Sequence, residues 1–222
     1  MENSKILLQK AIDILEEADI KDDEWAVGGG TVLAHYYNHR ISKDIDIFIN
    51  DIQLLTLLSP RFNDMSEDAA DYDEMATYIS LTYPEGKIDF IVGSQISEFL
   101  PKKQFFLEKN VFLEDPVEIV AKKIFYRGVS AKVRDIFDLA IVYVNRKKDL
   151  IHTLNQIPAQ AGAFFARLDA IKQHPENLYS IYQTDSILPG GIEYLGKEAG
   201  IFDILPMAKA RGFWDNNEPC LP

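Results

Sequence analysis

The chain has 222 residues, 47% hydrophobic and 11% aromatic, which is ample for a packed core and excludes wholesale disorder. Its formal net charge of −12 excludes a protein whose main task is to coat nucleic acid, since such binding rests on Lys and Arg neutralising phosphates. The one cysteine, Cys220, has no second cysteine to pair with, and no uncharged apolar run nears the roughly 20 residues of a membrane span. A cytoplasmic protein with no membrane partner is expected.

In chain order, Met1-Glu2-Asn3-Ser4-Lys5 leads into a charged amphipathic stretch and not a signal peptide. Ile6, Leu7, Ala11, Ile12 and Leu15 then repeat at helical spacing over 4–18. Trp25-Ala26-Val27 is a short apolar run stopped by Gly28-Gly29-Gly30, and Thr31 to Tyr37 reads as a short helix. Asp44-Ile45-Asp46-Ile47-Phe48-Ile49 is the clearest strand, alternating and β-branched. Residues 52–58 read as a helix ended by Pro60, and the acidic stretch 63–74 as a loop. Strands at 76–83 and 87–92 flank Pro84-Glu85-Gly86, a hairpin signal, and a second pair, 104–107 and 111–114, is expected to turn at Lys109-Asn110.

Asp115-Pro116 opens a helix over 116–127, with a capping residue ahead of proline at the first helical position. A second helix over 131–146 and shorter helical pieces to about 200 follow, while the tail from Pro189 is rich in Gly, Pro and Asn. The expected fold class is α/β (α+β): a mixed-sheet core over 1–115 with flanking helices, then a helical region over 116–222.

Side chains alternate along a strand, so Asp44 and Asp46 point one way and Ile45, Ile47 and Ile49 the other. Two like charges on an otherwise apolar strand are tolerable at an exposed edge, or with a divalent cation between them. Asp89 sits in a second apolar strand, Lys87-Ile88-Asp89-Phe90-Ile91-Val92. If the two strands are neighbours, three carboxylates converge and suit magnesium, or manganese, together with substrate phosphates. Upstream, Gly28, Gly29 and Gly30 running into Thr31 offer backbone N–H groups and a positive helix end to phosphate oxygens.

Arg40 and Ser42 lie on the loop leading into the aspartate strand, where they can reach a phosphate, and Arg40 can equally cap the preceding helix. His35 and His39, four apart, read as surface or core histidines and not as metal ligands. On the helix from 116, Glu118 and Lys122 form an expected exposed i,i+4 ion pair. Lys123 and Arg127 share the other edge of the apolar stripe, where they can face a triphosphate or snorkel along the surface. The next helix is apolar nearly all round yet carries Asp135 and Asp138. Arg134, one turn before Asp138, is placed to neutralise it, and Asp135, with no local mate in sequence, to orient Lys123 or a metal-bound group.

Gly28-Gly29-Gly30-Thr31 followed by Asn38-His39-Arg40-Ile41-Ser42-Lys43-Asp44-Ile45-Asp46-Ile47-Phe48 resembles the signature of the AbiEii-like toxin nucleotidyltransferases, within the DNA polymerase β-like superfamily. The resemblance continues through Val117-Glu118-Ile119-Val120-Ala121-Lys122-Lys123 and Arg134-Asp135-Ile136-Phe137-Asp138-Leu139, where Lys123 matches the lysine of the family motif. It implies a mixed-sheet catalytic core, magnesium and a nucleoside triphosphate as substrate. It further implies a toxin of a toxin–antitoxin pair, hence a cognate antitoxin, with tRNA as a nucleotide acceptor in some members. The site so expected comprises Asp44, Asp46 and Asp89 on the metal, and Gly28, Gly29, Gly30, Thr31, Arg40, Ser42 and Lys123 on the nucleotide, with Asp135 behind Lys123. A protein acceptor, or a catalytically silent partner-binding module on the same fold, are the alternatives.

Overall fold

The computed structural model describes residues 2–172, so the expectations for the tail, Cys220 included, lie outside the described residues. The described chain falls into two compact units that part between Ile119 and Val120.

The first unit is built on a seven-stranded sheet. Helix α1 (Glu2–Glu17) buries Leu7, Leu8, Ala11, Ile14 and Leu15, the residues its 3.6-residue period lines up, and packs across β2 (Ile45–Ile49) and β5 (Gly86–Val92). Strand β1 (Trp25–Gly28) is buried at every position, as a central strand covered on both faces must be. With β3 (Asp71–Met75), β4 (Tyr78–Tyr83), β6 (Lys102–Phe106) and β7 (Lys109–Leu113), the sheet runs β3-β4-β5-β2-β1-β7-β6. The β2–β5 and β1–β7 pairs are parallel and the others antiparallel, so the sheet is mixed, as expected.

Four sequence expectations are corrected here. The acidic stretch is not all loop, because β3 forms within it as an edge strand whose side chains are mostly exposed. Edge position removes the need for an apolar face, and acids there discourage unwanted pairing. The second hairpin turns at Leu107-Glu108 and not at Lys109-Asn110, since those two residues take positive φ (47° and 70°) between Phe106 and its partner Lys109. Paired positive φ values suit the twist of a two-residue hairpin, even without glycine. Helix α2 (Gly29–Tyr37) begins two residues early and ends on Asn38 in the left-handed region, with the Asn38 N–H bonded to the Ala34 carbonyl. His39 therefore lies beyond the helix, buried, while His35 is exposed and packs edge-on to Phe106. Finally, Glu118 in α4 (Pro116–Arg127) is fully buried instead of exposed, and accepts the N–H groups of Ile96 (2.9 Å) and Ser97 (2.6 Å). Two charge-assisted bonds from a neighbouring loop compensate its desolvation. Lys122 is buried too.

The described part of the second unit is helical. The end of α4 leads through a 3₁₀ turn to α5 (Val133–Leu154) and α6 (Pro158–Lys172). Helix α5 runs further than the apolar pattern indicates, and is broken at Arg146, whose φ of −133° is non-helical. Phe164, Phe165 and Leu168 of α6 are buried, with Phe164 against the turn at Gly128.

Candidate active site

One row of residues crosses the sheet at a single register: Gly28 on β1 opposite Asp46 on β2, Asp46 opposite Asp89 on β5, and Asp89 opposite Ser80 on β4. Neighbouring strands lie about 4.8 Å apart, so the two carboxylates stand side by side on one face. The alternation that puts them there is visible in the burial of β2. Ile45, Ile47 and Ile49 are fully buried on the α1 side, whereas Asp46 and Phe48 are half-buried on the other.

Asp89 is steadied by the Ser80 hydroxyl, which donates to Oδ1. Asp44 lies one residue ahead of β2, and its Oδ1 accepts the N–H of Lys87 at 3.1 Å. Its carbonyl oxygen receives the Thr31 hydroxyl, tying the start of β2 to the first turn of α2. Among the described residues no three His, Cys, Asp or Glu side chains are gathered tightly enough to hold an ion by themselves. Two of the three expected carboxylates share a register position, and the third is held two residues along β5.

The glycine turn lies directly on this row. A Cβ on Gly29 would fall 1.8 Å from Asp46 Oδ2 and 2.8 Å from Asp46 Cβ, and Gly29 has φ of +69°, a region that L side chains rarely adopt. A Cβ on Gly30 would fall 2.1 Å from the Arg40 guanidinium and 3.0 Å from Ser42 Oγ. A Cβ on Gly28 would meet Glu114 Oε2 at 2.2 Å. Each of the three glycines thus permits one close approach, and Asp46, Arg40 and Ser42 are brought to the N-terminus of one helix. Arg40 itself is buried, with Nη1 on the Ile41 carbonyl at 3.3 Å. Further along α2, Gln104 donates to the Tyr36 hydroxyl. Burial holds that phenol above its usual range.

Gly29→Ala is expected to be doubly costly. The left-handed backbone strains the new residue by about 1–2 kcal/mol, and Asp46 has to leave its place because even its Cβ is too near. Thermal unfolding and turnover should fall together, turnover by about a hundredfold. Full activity in that variant would mean that Asp46 has no required position.

In the helical unit, Lys123 Nζ lies between two buried carboxylates, Asp135 Oδ1 at 3.3 Å and Asp138 Oδ2 in direct contact. This corrects two expectations. Asp138 is met by Lys123, while Arg134 is exposed. Asp135 does have local mates, since its Oδ2 accepts the Lys132 N–H at 2.9 Å at the head of α5, and Arg127 lies 3.9 Å from its Oδ1. The expected Lys123–Asp135 contact is present.

Sequence reasoning passed over Ser80 and Glu114. The Ser80 signal was available, because a turn at Pro84-Glu85 pairs Tyr83 with Gly86 and so counts back to Ser80 opposite Asp89. Glu114, buried and just past β7, had no such signal, since its approach to Gly28 depends on a parallel pairing distant in sequence.

Comparison with known proteins decides the family. The model of the nucleotidyl transferase AbiEii toxin family, type IV toxin–antitoxin system, matches residues 13–172. The chain belongs to this family. The glycine turn and the Asp44–Asp46 strand both lie inside the matched stretch, so this AbiEii-family chain is a nucleotidyltransferase of the toxin class. No curated protein matches it. Solved structures with a similar course include the antibiotic-resistance factor ANT(2'')-Ia in solution, at 13% identity and TM-score 0.47, covering 76% of this chain and 96% of that one. MenT4, a nucleotidyltransferase toxin of Mycobacterium tuberculosis, is 18% identical with TM-score 0.44, covering 72% and 65% respectively. A crystal structure of ANT(2'')-Ia in complex with adenylyl-2''-tobramycin is 13% identical with TM-score 0.45, covering 72% and 99%. The assignment rests on the family match and on none of these likenesses. No described helix is long and apolar enough to cross a membrane.

Proposed function

We propose that this AbiEii-family chain moves a nucleoside monophosphate from a nucleoside triphosphate to an RNA acceptor, of the tRNA class, as the toxin of a cytoplasmic toxin–antitoxin pair. The observation that carries the reading is the register row, with two carboxylates on adjacent parallel strands directly beneath a glycine turn. Their all-oxygen donor set, on a face left half-open, fits a hard divalent cation such as magnesium or manganese. Asp46 and Asp89, with Asp44, would hold it. When bound, such a cation neutralises triphosphate charge and makes the acceptor hydroxyl more acidic.

The remaining work falls to the chain. The N–H groups at the head of α2 donate to phosphate oxygens, and the Gly29 and Gly30 positions let Asp46, Arg40 and Ser42 stand close against the same turn. Arg40 and Ser42, held against Gly30, add charge and a hydroxyl at the same place. The acceptor oxygen attacks the α-phosphorus in line, the bond to the bridging oxygen breaks, and pyrophosphate leaves with the electron pair. Asp89 takes the acceptor proton, with Ser80 fixing the carboxylate's orientation. Positioning and electrostatics suffice for this chemistry, with no covalent enzyme intermediate.

The test is transfer of label from each α-labelled triphosphate, with magnesium, to a mixture of total tRNA and cell extract. Label in an RNase-sensitive band is the expected result. Label in a protease-sensitive band would replace the RNA acceptor by a protein one, and no label from any triphosphate would overturn transfer itself. A neighbouring gene for an antitoxin would support the toxin role.

A further inference from the structure

Strand β3 ends the sheet: β4 lies on one side, and no strand of the described residues on the other. An edge of this kind is a template for a further strand. Two features set it apart from a merely guarded edge. The first is apolar. Beside β3 runs an open groove of about 900 Å³ whose lining includes Ile52, Leu55, Tyr72 and Met75, with Arg61 and Glu74 paired across it. Ile52 is 52% exposed, Tyr72 44% and Met75 56%, and Phe62 close by is 66% exposed. So many large apolar side chains around one edge mark a binding surface more than a solvated one.

The second feature is charge. Residues 64–75 carry Asp64, Glu67, Asp68, Asp71, Asp73 and Glu74 and no lysine or arginine. That selects the occupant. A second copy laid edge to edge would set these acids against themselves. The chain's own residues 173–222 hold seven acids against three Lys and Arg, and their one alternating stretch, Lys209-Ala210-Arg211, stops at Gly212, short of a full strand of that pattern. We infer that the β3 edge docks an extended segment of a different protein, one that alternates lysine or arginine with apolar residues and adds an eighth strand. The Tyr72 N–H, now met by the Asp71 carboxylate at 2.9 Å, would pass to a partner carbonyl and release Asp71 to a partner cation. Apolar partner side chains would meet the groove on the face of Tyr72, opposite to the face that carries Asp71 and Asp73. This surface is independent of the transfer reaction.

The probe is an acetylated, amidated octapeptide of alternating lysine and valine, added to the full chain and followed by fluorescence anisotropy and by hydrogen exchange of the β3 amides. Binding is expected together with slowed exchange in β3. Affinity should fall at least tenfold for Asp71→Lys/Asp73→Lys, and equally for a peptide N-methylated at alternate residues, which keeps charge and side chains but cannot pair as a strand. Equal binding of the N-methylated peptide would reduce the contact to charge alone and overturn strand addition. So would an absence of binding, protection of the Tyr72 amide without any peptide, or a concentration-dependent dimer that the double substitution dissolves.

Discussion

Asp46→Asn is expected to lower nucleotide transfer by about a thousandfold while the protein stays folded. A factor of this size corresponds to about 4 kcal/mol of transition-state stabilisation, the range found when a charge-stabilising group is removed from a phosphoryl or acyl transfer site. The position explains both halves of the expectation. Asp46 is half-buried and directly opposite Asp89 on a parallel strand, and Asn keeps its shape, so neither packing nor register changes. Asp44→Asn should also abolish most turnover. Manganese titration followed by electron paramagnetic resonance gives a readout apart from turnover, and both substitutions should weaken binding. Undiminished transfer in both variants would sink the assignment of the site.

Those expectations could be written from sequence because the elements that carry them are local. The strand of Asp46 is defined by its own alternation, the hairpin before Asp89 by Pro84 and Gly86, and the turn by three glycines in a row. Adjacency of β2 and β5 was only a condition in the sequence, and the parallel register supplies it. What stayed hidden depended on a position in the sheet or on contacts between elements. Residues 71–75 have no apolar face, because an edge strand covered by nothing needs none, so alternation had nothing to report. Glu118 looked like half of an exposed ion pair until the loop at Ile96 and Ser97 closed over its carboxylate, more than twenty residues away. Helical spacing gave Asp138 to Arg134, and only the approach of two helices gives it to Lys123. For Glu118 and Asp138, spacing within one helix was read correctly, and a competing contact with another element prevailed.

The Lys123 cluster gives the other large effect. Lys123→Met is expected to destabilise the protein by about 3–5 kcal/mol, because it withdraws the ammonium from two carboxylates that cannot reach solvent. Asp135 keeps the Lys132 N–H and the more distant Arg127, so the greater part of the loss should come from Asp138. Lys123→Met/Asp138→Leu should therefore recover much of the stability, since replacing a buried pair by apolar groups of similar size is often neutral or favourable. Urea unfolding of the single and double variants measures the difference. Turnover measured on the same samples separates two roles for the lysine. If the double variant regains stability and activity together, Lys123 serves the packing of α4 and α5. If it regains stability and stays inactive, the ammonium serves more than packing, and Asp135 and Asp138 are the groups that hold it in position.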